Sequence, residues 1–214
     1  MSWFLGHLSL VGGYAWAHAW LAGLPLVIGL LLAVPLGWLA HSRRWLALPI
    51  VTGTALLYTI PSLALFVLLP GILGTGILDP VNVVVALTIY TVALLVRTVA
   101  DGLASVPAEV SAAAMAMGPG PGRRFFTVDF PLAVPVMVAG LRVAAVSNVS
   151  IVSVAALIGV TQLGTLFTDG FNRRFLDPIV VGIVACILLA LAFDAVIRIA
   201  GRLAAPWARV GAIT

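Results

Sequence analysis

Residues 112–131 read AAAMAMGPGPGRRFFTVDFP and join two long apolar stretches of the chain. The segment opens with alanine and methionine, which are good helix formers. Residues 118–122 alternate glycine with proline, a pattern that ends a helix because proline lacks an N–H and glycine tolerates the left-handed turn after a last helical residue. The segment therefore predicts a short helix with a sharp end, followed by the basic pair Arg123 and Arg124.

The residues just before this run carry the signals of a helix start. Pro107 suits a first helical turn, where its missing N–H needs no partner, and Glu109 suits the positive end of the helix dipole. We therefore expect a short amphipathic helix at the membrane surface, within a cytoplasmic connection of about 102–130. On these signals alone, a plain interfacial helix and a docking helix are about equally well supported.

The composition indicates a chain that is buried in lipid. The sequence is 63% hydrophobic and 8% charged, with a mean hydropathy of +1.22, whereas a soluble domain carries about 25% charged residues. We predict an all-α membrane protein with one transmembrane domain over residues 1–214. Because no phosphate-binding loop, metal-ligand cluster or activated nucleophile is recognisable, we predict no catalytic residue, no metal site, no cofactor and no nucleic-acid partner for this chain.

Five apolar runs are long enough to cross a bilayer as helices, which takes about 20 residues each. They lie at about 19–40, 46–69, 81–100, 132–158 and 179–199. Prolines inside the second and fourth runs predict kinks. Asp79-Pro80 and Asp177-Pro178 predict the starts of the third and fifth spans.

The placement of the basic residues predicts the orientation, since arginine and lysine favour the cytoplasmic side. All eleven basic residues are arginine. With the 102–130 connection in the cytoplasm, eight arginines lie inside, only Arg173 and Arg174 lie outside, and Arg142 lies within the fourth span. The N-terminus is then outside and the C-terminus inside. The eight are Arg43, Arg44, Arg97, Arg123, Arg124, Arg198, Arg202 and Arg209.

The cytoplasmic connection resembles the coupling loop of ABC importer permeases. The pattern of that family is Glu-Ala-Ala, three residues, glycine and, later, a Leu-Pro step. Ala113, Ala114 and Gly118 match the Ala-Ala-x-x-x-Gly core, and Phe130-Pro131 stands at the Leu-Pro position.

Two further features of the loop bear on this resemblance. Pro107 and Glu109 match the Pro-Glu that often precedes the family motif, whereas Ala112 occupies the position of the motif's glutamate. We expect this departure either to weaken one contact to the ATPase or to indicate that a second, different permease chain carries the intact motif.

Several spans resemble the osmoprotectant branch of these permeases, which carries glycine betaine, carnitine or choline. Residues 59–65, TIPSLAL, are similar to the second span of that branch, and Leu157-Ile158-Gly159 resembles the glycine-rich stretch after its fourth span. The resemblance implies a type I ABC importer permease fold, with about five transmembrane helices and a short cytoplasmic coupling helix, in the bacterial inner membrane.

The resemblance also implies a function and a set of partners. The chain is expected to be the permease subunit of an ATP-driven importer for quaternary-ammonium compatible solutes, and to couple ATPase closure to alternating access. Separate ATPase subunits, which bind ATP and Mg²⁺, are expected to dock at 107–124. The other expected partners are a second permease chain, identical or different, and a solute-binding protein near the outer loop 159–177.

Two alternatives to this function stay open at the sequence level. Methionine-type permeases share the small five-span plan, so methionine or another small polar solute is an alternative cargo. An ATP-independent channel or scaffold is an alternative of a different class. The ordered motif from Ala113 to Pro131 argues against it.

Arg142 and Asp194 are predicted to lie at similar depth in the fourth and fifth spans. Charges inside a membrane are costly and are therefore candidates for function. We expect the two side chains to form a pair, and a structural role is favoured over a role in transport.

A cluster of small polar residues marks the fourth span: Ser147, Asn148, Ser150 and Ser153. Such residues either join helices in lipid or line a translocation path, and the sequence supports both interpretations equally.

Tyr58 and Ser62, beside Pro61 in the second span, are further candidates for the path. A quaternary ammonium has no N–H and is recognised mainly by aromatic faces. For Tyr58, packing in the protein core is the favoured interpretation.

Overall fold

The computed structural model describes residues 2–207, and every regular element in that range is helical. The α-helices are α1 Ser2–Gly6, α2 Leu8–Ser42, α3 Arg44–Tyr58, α4 Ser62–Leu73, α5 Pro80–Ala104, α6 Ala108–Ala116, α7 Pro121–Arg124, α8 Phe130–Val152, α9 Thr165–Asn172 and α10 Leu176–Ala204. A π-helical turn, Phe125–Asp129, joins α7 to α8, and a 3₁₀ segment, Ser153–Ile158, extends α8. Arg209 lies outside the described residues.

Four continuous helical stretches are long and apolar enough to cross a membrane. They are Leu8–Ser42, Pro80–Ala104, Pro121–Ile158 and Leu176–Ala204. A fifth crossing exists if α3 and α4, which meet at a short break, are counted as one span. The prediction of an all-α membrane protein with about five spans is thereby confirmed for the part of the chain that the structure describes.

The second span is not the single kinked helix predicted over 46–69. α3 ends at Tyr58 and α4 begins at Ser62, and the two helix axes are bent by 101°. Pro61 has extended backbone (φ −59°, ψ 132°) and donates no N–H, so helical hydrogen bonds cannot bridge this point. Pro49 remains inside α3 without breaking it.

Two spans begin earlier than the sequence predicted. α2 starts at Leu8, well before residue 19, and contains Pro25 and Pro35. The helix of the fourth span starts at Pro121, because this proline fits a first turn and the π-helical turn carries the helix onward into α8.

The two Asp-Pro pairs both lie at helix starts. Asp79 caps α5 by accepting a hydrogen bond from the backbone N–H of Val81, as predicted. α10 begins at Leu176, so Asp177 lies in its first turn and is not the capping residue.

α5 is the central helix of the bundle and packs against α2, α3, α4 and α8. Its buried residues Val83, Leu87 and Tyr90 pack in one cluster with Phe66 of α4 and Leu21 of α2. The surrounding helices therefore share one partner, and the position of α5 fixes theirs.

Glycines allow α2 to approach α5 closely. A Cβ atom at Gly37 would lie 2.6 Å from Val99 Cβ and 2.8 Å from the carbonyl oxygen of Val96. A Cβ atom at Gly29 would lie 2.5 Å from Thr91 Cγ2. In lipid, no hydrophobic force drives helices together. Close packing at small residues is therefore a main source of the energy that holds them.

A buried polar cluster holds the loop at 159–164 against the bundle. His18 Nδ1 lies 3.0 Å from Gln162 Oε1, and His18 Nε2 lies 2.8 Å from the carbonyl oxygen of Val149. Gln162 Nε2 donates to the carbonyl oxygen of Val152, and its Oε1 accepts from the N–H of Gly164. The loop is thus joined to α2 and α8 by paired polar groups.

We predict that Gly37→Ala destabilises the protein by about 1–3 kcal/mol, because the new methyl group meets a backbone carbonyl that cannot move without shifting α5. Gly13→Ala, in the same helix with nothing within 4 Å, is the matched control. It is expected to leave stability unchanged or to raise it, since alanine is the better helix former. Thermal unfolding in detergent checks both, and equal midpoints for the two variants would contradict the prediction.

Candidate functional site

The short helix predicted within 102–130 is α6. Pro107 immediately precedes it with extended backbone, and Glu109 lies in its first turn. After the capping residue Met117, Gly118 has a φ of 81°, a left-handed conformation that glycine adopts without strain. The helix therefore ends where the sequence predicted, and the chain turns sharply toward α7.

One face of α6 is open to its surroundings. Ala114 is buried against the bundle, whereas Ala112 and Ala113 are exposed. Val110, Met115 and Met117 are also exposed, with Met117 at 78%. Val110 and Met117 are seven residues apart on one side of the helix, and Met115 lies on the other side of the buried Ala114; we term these three exposed apolar side chains the α6 apolar surface. Their exposure was not predicted from the sequence, although exposed methionine is typical of adaptable binding surfaces.

Asp129 joins α6 to the start of the fourth span. Its Oδ1 accepts a hydrogen bond from Ser111 Oγ at 3.0 Å, and its Oδ2 accepts one from Arg124 Nε at 2.9 Å. Arg124 and Asp129 are five residues apart, the spacing that a π-helical turn brings together. Arg124 is thus held within the chain, whereas Arg123 is exposed. Asp129 was missed because one of its partners lies on another helix.

Phe130 and Pro131 anchor the beginning of α8. Phe130 packs against Phe125, with ring centroids 5.6 Å apart, and Phe125 in turn contacts Trp38 of α2. Pro131 occupies the first turn of α8, where it breaks no hydrogen bond. These two residues therefore lie in the packed region where α8 begins.

Arg142 and Asp194, which were predicted as a pair, are in contact between α8 and α10. The Arg142 Nε lies 2.5 Å from Asp194 Oδ1, and Arg198 binds the other carboxylate oxygen. The Asp194 side chain is 14% exposed, so it is largely enclosed by its two partners. Arg198 was predicted only as a cytoplasmic charge, although its spacing of four residues from Asp194 is typical of helix ion pairs.

The candidates for the path are divided between the surface and the interior. Ser150 is exposed, whereas Ser147 and Ser153 are half-buried, with Ser153 Oγ 3.9 Å from Cys186 Sγ. Tyr58 is exposed and Ser62 is half-buried, on the two sides of the break between α3 and α4.

Asn148 joins helices in this structure, which is one of the two interpretations that the sequence supported. Its side chain is fully buried, and its Nδ2 donates to the carbonyl oxygen of Ala22 and to Thr91 Oγ1. The amide joins α2, α5 and α8, because a buried polar group in lipid needs partners from neighbouring helices. Within residues 2–207, no three His, Cys, Asp or Glu side chains are placed to hold a metal ion.

Comparison with known proteins gives a consistent result. The family described as binding-protein-dependent transport system inner membrane component matches residues 26–210. The osmoprotectant import permease protein OsmW of Salmonella typhimurium is 31% identical over 195 residues, which cover 90% of each chain. The choline transport system permease protein OpuBB of Bacillus subtilis is 29% identical over 88% of this chain and 86% of its own.

The fold also matches a solved structure. A chain of the MetNI methionine ABC transporter in an inward-facing conformation superposes with a TM-score of 0.84, over 93% of this chain and 98% of its own. Sequence identity is 18%, so this match concerns the fold alone. The predicted type I importer permease fold is confirmed by it.

We predict that Asp129→Asn loosens α6 from the bundle. The neutral amide weakens the charge-assisted bond from Arg124, so amide hydrogen exchange in 108–116 is expected to rise about tenfold. Asp101→Asn is the matched control, because its 3.6 Å contact with Arg97 joins two side chains that are both mostly exposed. Equal exchange in the two purified variants would show that Asp129 does not hold the helix.

We predict energetic coupling between Arg142 and Asp194. Each of Arg142→Gln and Asp194→Asn is expected to lower the unfolding temperature in detergent, because each leaves the remaining partner poorly matched. The double variant is expected to lose less than the sum, and a thermal-unfolding cycle measures the difference. Strictly additive losses would mean that the contact contributes nothing.

Proposed function

The chain belongs to the family of binding-protein-dependent transport system inner membrane components, and from that premise we propose that it is the permease subunit of an ATP-driven importer for quaternary-ammonium compounds. The observation that carries the proposal is α6, a short exposed helix with the Ala-Ala-x-x-x-Gly motif, fixed by Asp129 to a helix that crosses the membrane. A helix that is exposed outside the bilayer and fixed to a membrane-spanning helix can transmit the movement of a docked partner to that span.

The ATPase is a separate subunit that docks on the α6 apolar surface. This chain has no phosphate-binding loop of its own, so ATP and Mg²⁺ bind to that partner. Docking buries Val110, Met115 and Met117, which are otherwise exposed at an aqueous boundary. Arg123, exposed beside α6, supplies a positive charge at the rim of the contact.

The cargo class follows from the relatives. OsmW and OpuBB are named for osmoprotectant import and for choline transport, and glycine betaine and choline share a trimethylammonium group. Helices whose polar residues are mostly serine and threonine, with Tyr58 and Tyr90 among them, offer such a cation contacts without a fixed opposite charge. Within this class, the choice between glycine betaine, carnitine, choline and related solutes is set by the binding protein. Methionine is not favoured, since the methionine transporter is similar only in fold.

A second permease chain, identical or different, completes the path. Ser150 and part of Ser147 lie on the outside of this chain, where they line a path only if another chain covers them. A polar surface facing lipid would be costly, which favours such a cover over exposure.

The solute-binding protein docks at the opposite end, near the outer loop 159–177. Phe171 and Arg173 are exposed there and suit an apolar and acidic partner surface. The arginine distribution supports this orientation, with α6 in the cytoplasm of a bacterium, the N-terminus outside and the C-terminus inside. An ATP-independent channel or scaffold would leave α6 and its apolar surface without a role.

We predict that Met117→Asp removes the ATPase subunit from this chain when both are gently solubilised from the native membrane. A charge at the centre of an apolar contact is expected to weaken binding at least tenfold. Replacement of residues 118–122 by a helix-forming sequence is expected to do the same, because the sharp end of α6 is lost. Met117→Leu is the control and should retain the ATPase.

Mass spectrometry of the purified material reads the result. An ATPase subunit with wild type and Met117→Leu, but not with Met117→Asp, supports the proposal. If no ATPase accompanies the wild-type chain in several mild detergents, the channel or scaffold interpretation replaces it.

A further inference from the structure

The break between α3 and α4 lies near the middle of the bilayer. The Tyr90 hydroxyl donates a hydrogen bond to the carbonyl oxygen of Ile60, in the break, at 2.5 Å. Tyr90 is the eleventh residue of the 25-residue helix α5; with a rise of 1.5 Å per residue, it lies about 15 Å along a helix of about 37 Å. The break is therefore close to the depth at which lipid is least able to solvate polar groups.

Polar backbone groups at this depth lack partners within the chain. Within residues 2–207, no backbone hydrogen bond outside the helices reaches the carbonyl oxygens of Tyr58 or Thr59, and no side chain caps the start of α4. Irregular backbone at membrane depth occurs only where it is buried in protein or lines a polar cavity. Since Tyr58, Thr59 and Pro61 are exposed on this chain, this rule favours a polar space over lipid beside the break.

The Tyr58 ring is the aromatic group at this position. It is 40% exposed and meets the ring of Tyr90 edge to face, with centroids 5.5 Å apart. Its hydroxyl has no hydrogen-bond partner among the described residues, so a lipid-facing position would leave a phenol unpaired in hydrocarbon. Contact with Tyr90 orients this ring, which belongs to the same short segment as the unpaired carbonyl oxygens.

We propose that the break between α3 and α4, with the Tyr58 ring and the carbonyl oxygens of Tyr58 and Thr59, forms a weak site for the methylated ammonium group of the cargo, midway along the translocation path. The inference rests on the proposed function and deepens it. An aromatic face and carbonyl oxygens both attract a cation, and neither requires it to donate a hydrogen bond. No Asp or Glu occurs between residues 44 and 73, so α3, α4 and the break itself supply no carboxylate, and the cation is stabilised at mid-membrane without being trapped.

The test uses the complete transporter, purified with its ATPase and binding protein and placed in proteoliposomes. ATP-driven uptake of radiolabelled glycine betaine and of choline is measured at saturating binding protein. Tyr58→Leu is expected to lower the maximal uptake rate about tenfold, whereas Tyr58→Phe and Tyr58→Trp, which keep an aromatic face, stay within about twofold of wild type. Trp16→Leu, an exposed aromatic residue of α2 far from the break in sequence, is the control and should have no effect.

A graded substitution separates cation binding from packing. Phenylalanine carrying one, two or three fluorine atoms at position 58 keeps the ring's shape but weakens its negative face, so uptake is expected to fall in step with fluorination. A purely structural ring would show no such trend. Co-purification of the ATPase with each variant verifies that the permease is folded.

The outcomes distinguish this inference from the function on which it rests. Uptake of neither probe by the wild-type transporter would overturn the proposed cargo class, and the site with it. Normal uptake by wild type together with normal uptake by Tyr58→Leu, or a flat fluorination series, would overturn the site alone.

Discussion

Within the membrane spans, backbone N–H and C=O groups must find partners in the protein, because lipid offers none. Continuous helices meet this requirement along most of the bilayer, and the π-helical and 3₁₀ segments keep the fourth span continuous over 38 residues from Pro121 to Ile158. The break at residues 59–61 is the exception within the spans. It persists because Tyr90 supplies a hydrogen bond to Ile60 from the side and α4 packs its buried leucines and Phe66 against α5.

The same requirement explains how distant parts of the chain are connected. Asp129 joins α6 to α7, and the unbroken helix from α7 through α8 carries that attachment across the membrane. Along this helix, Arg142 binds Asp194 of α10, and Asn148 binds α2 and α5. These polar contacts of α8 are few, and each joins it to another helix. On the proposed function, a displacement of α6 would reach α2, α5 and α10 through α8 and these directional bonds.

Local signals in the sequence were sufficient for the helices and for α6. The apolar runs, the Asp79-Pro80 start and the glycine–proline stop each act within a few residues of where they stand, and all appear in the structure. The sequence was insufficient wherever a residue is defined by its partner. Asn148 is a polar residue of the kind that can line a path. In the structure it is buried and joins helices, because its amide donates hydrogen bonds to Ala22 and Thr91, which are distant in sequence. Asp129 and the exposure of Met117 depend in the same way on how α6 sits against the fourth span. Pro61 predicted a disturbance of the second span, but a bend of 101° at mid-membrane depends on the support of Tyr90.

Ala112 stands at the position of the motif glutamate, and the exposed surface around it bears on how an ATPase could dock without that carboxylate. Ala112 is exposed, so no packing constraint excludes a carboxylate there. The exposed Glu109 lies one turn earlier, and the exposed Val110, Met115 and Met117 add apolar area, in which methionine side chains adapt their shape at little cost. On the proposed function, such a contact holds the ATPase through burial of area, which tolerates small rotations better than one directional ion pair does. A coupling helix that must stay seated while its partner opens and closes can therefore work without the glutamate, provided that Met115 and Met117 remain buried throughout the cycle.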